Sequence, residues 1–164
     1  MKKFLNTFVA FISVALISAS SLYGCSSNNN DAVSIDADKL ISSITSEVAF
    51  EDTLIEVADD YSQMLYGVSS DMYNDCRVFT GSGATSEQIA LYDCVSADAA
   101  KQVYDILKEY IAALTDSYAS YIPAEVERLE HTFLDYNEHY VFLCVTADYE
   151  TSENIIDTYF KNIH

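Results

Sequence analysis

The sequence predicts an α+β fold in which a four-stranded antiparallel sheet, built from two β-hairpins, packs with amphipathic helices. Segments with apolar residues at helical spacing alternate with two pairs of short apolar segments. A turn-forming segment separates the members of each pair, which favours hairpins. The predicted order is ααββα(α)ββα, and we expect the helices to cover one face of the sheet.

Residues 1–24 resemble an export signal. Lys2 and Lys3 precede an apolar run that continues to about residue 17, and the small residue Gly24 stands directly before Cys25. The run is shorter than the about 20 apolar residues that a membrane-spanning helix needs. We therefore expect a lipoprotein signal peptide that is cleaved before Cys25, whose thiol then carries a diacylglycerol. Two acyl chains or more anchor a protein stably. The alternative is an ordinary cleaved signal that leaves Cys25 as a free cysteine.

Residues 26–34 are polar and rich in asparagine, so residues 25–34 are interpreted as the lipidated cysteine and a flexible spacer, and 35–164 as a single α+β domain. In that domain, Asp36 and Asp38 suit the start of a helix whose apolar residues continue to Val48. Residues 50–57 are ambiguous and are predicted as an extended link. A short helix then begins at Asp59 and ends at Gly67, which suits a C-terminal cap.

Two strands, 76–80 and 88–95, flank the sequence Gly81, Ser82, Gly83, Ala84 and Thr85, which is typical of a turn. The longest helix is predicted from Ser96 to about residue 121, because its apolar residues follow one face for nearly six turns. Pro123 ends it and starts another turn of helix at 124–130. Residues 132–136 and 139–146 form the second predicted hairpin, and a helix from Ser152 to about 162 completes the domain.

The domain is strongly acidic. The chain has 26 Asp and Glu against eight Lys and Arg, a formal net charge of −18. The leader contains two of the basic residues and no acidic residue, so the charge of the remainder is about −20. This charge repels nucleic acid and anionic polymers, and it favours cations or basic envelope proteins as partners, although solubility alone also accounts for it. The apolar content is too high for a disordered acidic tail.

Several landmarks together resemble the domain of unknown function 4358 family. The landmarks are Leu65-Tyr66-Gly67, the stretch from Gly81 to Ala90, Tyr121 with Pro123 and Glu125, Tyr140-Val141, and Ile155-Ile156-Asp157 followed by Tyr159-Phe160. Ser86 and Gln88 replace the alanine and glutamate that the family leads us to expect. The resemblance covers about residues 35–161 and implies a small extracytoplasmic lipoprotein of Gram-positive anaerobes. It implies no catalytic residue.

Motifs that would indicate a catalytic or metal site do not occur. The loop at residues 81–85 lacks the lysine of a P-loop, so we interpret it as a hairpin turn, with a ligand-binding loop as the alternative. His131 and His139 flank one predicted hairpin, but no His-Glu-x-x-His sequence accompanies them. No carboxylate pair is singled out for hydrolysis. We expect no cofactor and no metal.

Cys76, Cys94 and Cys144 fit neither a zinc ribbon nor a redox motif. One disulfide with one free thiol, and three buried thiols, are both open, and Cys76 and Cys94 are expected roughly opposite each other in the first hairpin. All three lie in predicted strands, which favours small buried side chains.

The sequence therefore favours a lipid-anchored protein on the extracytoplasmic face of the cell membrane, with a non-catalytic binding or interaction module. The contact region is expected on a free face of the sheet or at residues 81–85. An envelope enzyme that uses carboxylates or a cysteine is one alternative, and a purely structural lipoprotein is another. An enzyme would need two close carboxylates in a deep pocket, or a histidine within hydrogen-bond reach of a cysteine.

Overall fold

A computed structural model describes residues 34–161, which form an α+β fold with an antiparallel sheet. The helices are α1 (Ala37–Glu47), α2 (Asp59–Tyr66), α3 (Ala97–Ala119), α4 (Pro123–Glu130) and α5 (Tyr149–Phe160). The strands are β1 (Ile55–Glu56), β2 (Tyr73–Thr80), β3 (Gln88–Cys94), β4 (Phe133–Asn137) and β5 (Tyr140–Val145). The predicted signal peptide, Cys25 and nearly all of the spacer lie outside the described residues.

The predicted count of four strands is wrong, because the sheet has five strands in the order β1-β2-β3-β5-β4. The additional strand β1 lies in the segment predicted as an extended link, and Ile55 and Glu56 pair with Thr80 and Phe79 of β2. The observed order therefore inserts a strand between the first two helices. A strand of two residues is too short to show the alternation by which strands are recognised in a sequence.

Both predicted hairpins form, and they join through the pairing of β3 with β5. In the second hairpin the strands end at Asn137 and begin again at Tyr140, so Glu138 and His139 form the turn. Glu138 has a φ of 52°, in the left-handed region. The predicted strands 132–136 and 139–146 place the turn at residues 137–138, so the observed turn lies one residue later than predicted.

The helix ends follow the predicted capping residues. The Asp36 carboxylate accepts a hydrogen bond from the backbone N–H of Lys39 at 3.0 Å, and the Ser96 hydroxyl accepts one from Ala99 at 3.1 Å. Gly67 ends α2 with a φ of 77°. These bonds and this left-handed residue satisfy groups that would otherwise be unpaired at the helix ends.

Helices cover both faces of the sheet, so the expectation that one face is free is wrong. On one face α3 and α4 pack against a core that includes Val78, Tyr92 and Leu143. On the other face α1 and α5 pack against a core that includes Ile89, Leu91 and Phe142. The central strands β3 and β5 are therefore buried on both faces of the sheet.

Candidate functional site

The connection between β2 and β3, residues 81–87, is a structured loop. Gly83 has a φ of 88°, which a residue with a side chain rarely adopts. Gly81 is required for a different reason: a Cβ atom there would lie 2.6 Å from Oδ2 of Asp52. The loop therefore needs glycine at one position for its backbone conformation and at the other for a close approach.

Carboxylates from neighbouring segments fix this loop. Asp52 Oδ2 accepts hydrogen bonds from the Ser82 backbone N–H at 2.6 Å and from the Ser82 hydroxyl at 2.7 Å. In return, the Glu87 carboxylate accepts from the backbone N–H groups of Glu51 at 3.0 Å and Asp52 at 2.8 Å. The hydrogen bonds to Ser82 lower the pKa of Asp52. The N–H group of Ser82 already donates to a carboxylate of the protein, so it is not available to a bound anion.

Helix α4 holds the other end of the loop. Pro123 occupies its first turn, and Glu125 and Arg128, three residues apart, lie on its buried face. Glu125 Oε2 accepts from the Ser86 backbone N–H and from its hydroxyl, both at 2.7 Å. Arg128 Nη1 donates to Glu125 at 2.7 Å. The predicted turn of helix after Pro123 therefore serves to anchor the loop.

A buried arginine balances three carboxylates at this point. Arg128 is 8% exposed; its Nη2 lies 2.7 Å from Glu51 Oε1 and its Nε lies 4.0 Å from Glu87 Oε1. Burial opposes ionisation of Glu125, but the Ser86 donors and the Arg128 guanidinium hold its pKa below the usual value. The group is thus built to keep Glu125 ionised, in keeping with its role as a hydrogen-bond acceptor.

An open cleft of about 190 Å³ lies beside the loop. Its walls combine side chains of α2 and α3 with the loop, and its floor is the start of β3; the lining residues are Tyr61, Leu65, Tyr110, Leu114, Tyr118, Thr80, Gly81, Ser82, Gly83, Thr85, Ser86, Glu87 and Gln88. The Tyr118 hydroxyl donates to the carbonyl of Thr85 at 3.4 Å. The Tyr66 hydroxyl donates to Gln88 Oε1 at 2.8 Å beneath it. The cleft is thus aromatic and polar at once.

A second cavity of about 300 Å³ is lined by Glu125, Glu127 and Arg128 of α4 together with Glu51. His131 also lines it and stacks on Tyr149 with ring centres 4.3 Å apart. The carboxylates that approach one another here do so around Arg128. They are therefore arranged as acceptors for a guanidinium.

The two histidines that were predicted to flank the second hairpin lie at opposite ends of β4. His131 precedes the strand, whereas His139 lies in the turn that follows it, 3.5 Å from Asp93. Within residues 34–161, no group of three or more His, Cys, Asp and Glu side chains is arranged to hold a metal ion.

Cys76, Cys94 and Cys144 are free thiols. Cys76 pairs in register with Tyr92, whereas Cys94 pairs with Tyr73, so the two thiols are not opposite each other as expected. Cys144 belongs to the core on the other face of the sheet. Cys94 and Cys144 are buried, as predicted, but Cys76 is only half-buried.

The environment of Cys76 favours the neutral thiol. Burial is the largest cause that raises its pKa to about 11, and Asp59, whose Oδ1 accepts from the thiol at 3.2 Å, adds to the rise. Burial likewise raises the pKa of Cys94 and of Cys144 to about 12. At neutral pH none of these thiols has the thiolate character of a nucleophile.

The sequence identified residues 81–85 as the candidate loop, and the structure places them at the rim of the cleft. It did not identify Asp52, Glu87 or Arg128 as the residues that hold the loop. One signal was available: Arg128 is one of only eight basic residues in an acidic chain, and it follows Glu125 by one helical turn. No such signal identified the tyrosines that line the cleft, because they belong to the apolar patterns of two helices.

None of the helices within residues 34–161 combines the length and apolar character needed to cross a membrane.

Comparison with known proteins returned one family. No curated protein and no solved structure matched the chain significantly. The family model described as Domain of unknown function (DUF4358) matches residues 46–146, a span that includes the loop, the cleft and the α4 carboxylates. The matched span is more than half of the chain, and the chain therefore belongs to the DUF4358 family.

Proposed function

We propose that this protein is a lipoprotein of the Gram-positive type, held by Cys25 at the extracytoplasmic face of the cell membrane. Its domain serves as a non-catalytic binding module. The signal-like leader, the small residue before Cys25 and the polar spacer support the anchor. The acidic charge favours basic envelope proteins as neighbours and disfavours nucleic acid.

The observation that carries the binding role is the fixed loop beside an open cleft. Asp52 and Glu125 hold residues 82 and 86 through four hydrogen bonds of 2.6–2.7 Å. A wall fixed in this way loses little conformational entropy when a ligand arrives. The cleft is therefore the proposed contact region, in place of a sheet face.

The chemistry of the carboxylates and thiols favours binding over catalysis. A general acid needs a raised carboxyl pKa, yet the pKa of Glu125 is lowered. A cysteine nucleophile needs a lowered thiol pKa, yet that of Cys76 is raised to about 11. These groups act as hydrogen-bonding partners within the fold.

Labelling with an alkyne analogue of palmitate tests the anchor. We expect the full-length chain in Gram-positive cells to take up the label and sediment with membranes, and Cys25→Ser to lose both properties. Cys76→Ser is the matched control because it removes a half-buried thiol and should keep the label. An unlabelled wild-type chain, or a labelled Cys25→Ser chain, would contradict the proposal.

Crosslinking in intact cells tests the binding module. We expect the tethered wild-type chain to capture a defined envelope component and Tyr61→Ser to lose it, because Tyr61 is 45% exposed in the cleft wall. Tyr136→Ser is the control, since Tyr136 is 37% exposed on β4, outside the cleft. If Tyr61→Ser captured the component as well as Tyr136→Ser and the wild type do, the cleft would be ruled out as the contact region.

A further inference from the structure

The cleft beside residues 81–85 has a lining that restricts the chemistry of its ligand. Among residues 34–161, no Lys, Arg or His side chain lines it, so this part of the chain offers no countercharge to a carboxylate or phosphate. The formal charge of the chain, −18, adds a long-range repulsion against anions. Anionic ligands are therefore disfavoured.

The lining of the cleft also lacks a free countercharge for a cationic ligand. Of the described residues that line the cleft, Glu87 alone is acidic, and its side chain is fully buried. Its two carboxylate oxygens accept from the backbone N–H groups of Glu51 and Asp52. The carboxylate is thus committed to the fold and is shielded from the cleft.

The remaining groups are aromatic rings, hydroxyls and a carboxamide. Tyr61 and the partly buried Tyr110 provide ring surface, and Ser82 and Thr85 on the loop provide polar atoms. The Gln88 carboxamide on the floor is already paired, since it accepts from the Tyr66 hydroxyl and donates to the Ser86 carbonyl. Tyrosine combines apolar contact with hydrogen bonding and has few rotatable bonds to restrict. Such a lining suits a neutral ligand with one apolar face and hydroxyl groups at its edge.

The size of the cleft sets the scale of the ligand. Its volume of about 190 Å³ is below the ~300–1,000 Å³ of sites for drug-sized molecules. One six-membered ring fits this scale, and the open mouth leaves room for a neighbouring group outside the cleft.

We propose that the cleft binds one neutral sugar ring of an envelope or extracellular glycan. This inference rests on the proposed binding function and specifies its ligand class. The ring stacks its apolar face on Tyr61 and directs its hydroxyl groups toward Ser82 and Thr85 of the loop.

Glycine amides provide the readout. The chain has four glycines, of which Gly81 and Gly83 line the cleft and Gly67 lies outside it at the end of α2. The full-length chain is labelled with ¹⁵N-glycine in a detergent without sugar groups. It is titrated with methyl β-glucoside, methyl β-galactoside and methyl N-acetyl-β-glucosaminide, and in parallel with glucuronate and tetralysine.

We expect at least one neutral glycoside to shift the Gly81 and Gly83 signals saturably, with a Kd on the order of 1 mM, and to leave Gly67 unchanged. Tyr61→Ser should weaken this binding about fivefold, the effect of one aromatic contact. Tyr61→Phe should stay within about twofold of the wild type because the ring remains. Tyr136→Ser should bind like the wild type.

Glucuronate bound as tightly as the neutral glycosides, or binding that is unaffected by Tyr61→Ser, would overturn the inference. Shifts with tetralysine and with none of the glycosides would also overturn it and would leave the cleft as a site for basic peptides. The proposed function itself would be overturned if no probe shifted the glycine signals and if Tyr61→Ser captured the envelope component as well as the wild type does.

Discussion

Gly81 is the residue at which a single methyl group disturbs the loop most directly. An added Cβ would meet Asp52 Oδ2 at 2.6 Å, Cγ at 3.0 Å and Cβ at 3.2 Å. We expect Gly81→Ala to reduce the free energy of unfolding by about 1–3 kcal/mol, because overpacking displaces the carboxylate that holds Ser82. Urea unfolding followed by circular dichroism measures this loss.

Gly81→Ala is also introduced into a chain that carries Asp52→Ala. Asp52→Ala removes the two closest clashing atoms, so the cost of the double variant should be clearly less than the sum of the single costs. Strictly additive costs would show that Asp52 is not the obstacle.

Arg128 is the second residue for which the structure predicts a large effect. Arg128→Met leaves Glu87 and Glu125 buried without their countercharge, and we expect a loss of about 3–5 kcal/mol of unfolding free energy. Adding Glu125→Gln should recover part of the loss because it removes one unpaired charge. Chemical unfolding at pH 7 provides the measurement.

Arg77→Met is the control for Arg128. Arg77 also forms two ion pairs, with Asp38 and Glu56, but the Asp38 side chain is 87% exposed and that of Glu56 is 44% exposed. Solvent screening limits such pairs to about 0–1 kcal/mol. If the two arginine variants lost equal stability, the buried cluster would not have the role described.

Among the elements, α3 shows most clearly how a local sequence signal becomes a structural feature. It has 23 residues, and Ser96 caps its start through a hydrogen bond to the Ala99 N–H. We expect Ser96→Ala to cost about 1 kcal/mol of unfolding free energy, since it leaves that N–H without its acceptor. Thermal or urea unfolding will measure the difference.

Ser117 lies exposed within the same helix, so Ser117→Ala makes the same chemical change away from the cap. Alanine has the higher helix propensity, and this variant should gain up to about 0.5 kcal/mol. A loss at Ser117 as large as that at Ser96 would mean that capping is not the cause.

The elements that could be predicted are those with a sustained local pattern. The periodicity of α3 and the turn chemistry between β2 and β3 identified both elements close to their observed bounds. Strand β1 has two residues, and only its pairing with β2 defines it as a strand. A local pattern cannot reveal an element that a long-range contact defines.

At the scale of the whole molecule, charge dominates. With a formal net charge of −18, like-charge repulsion opposes the folded state, and salt weakens that repulsion. We expect the Tm of the full-length chain to rise by a few degrees as sodium chloride increases from about 10 to about 150 mM. Calorimetry or thermal circular dichroism will record it.

A variant with Glu109→Gln, Asp116→Asn and Glu153→Gln provides the comparison, because these three acidic residues are exposed. Its Tm should respond less to salt. A fall of Tm with salt would show that attractive surface ion pairs outweigh the repulsion.

The sequence by itself determined the α+β class, most helices and strands, the acidic surface and the loop at residues 81–85. These properties depend on composition and on neighbours within a few residues, so short segments of the sequence are enough to predict them. The expected anchor at Cys25 also comes from the sequence and stays a prediction.

The tertiary structure decided which faces of the sheet are covered, that β1 joins its edge, that Asp52 and Glu125 hold the two ends of the loop, and that Arg128 pairs with Glu125. It also brought tyrosines of α2 and α3 to one cleft. Each of these features joins residues that are distant in the chain. Their contacts depend on how the hydrophobic faces pack, and one sequence does not specify that packing locally.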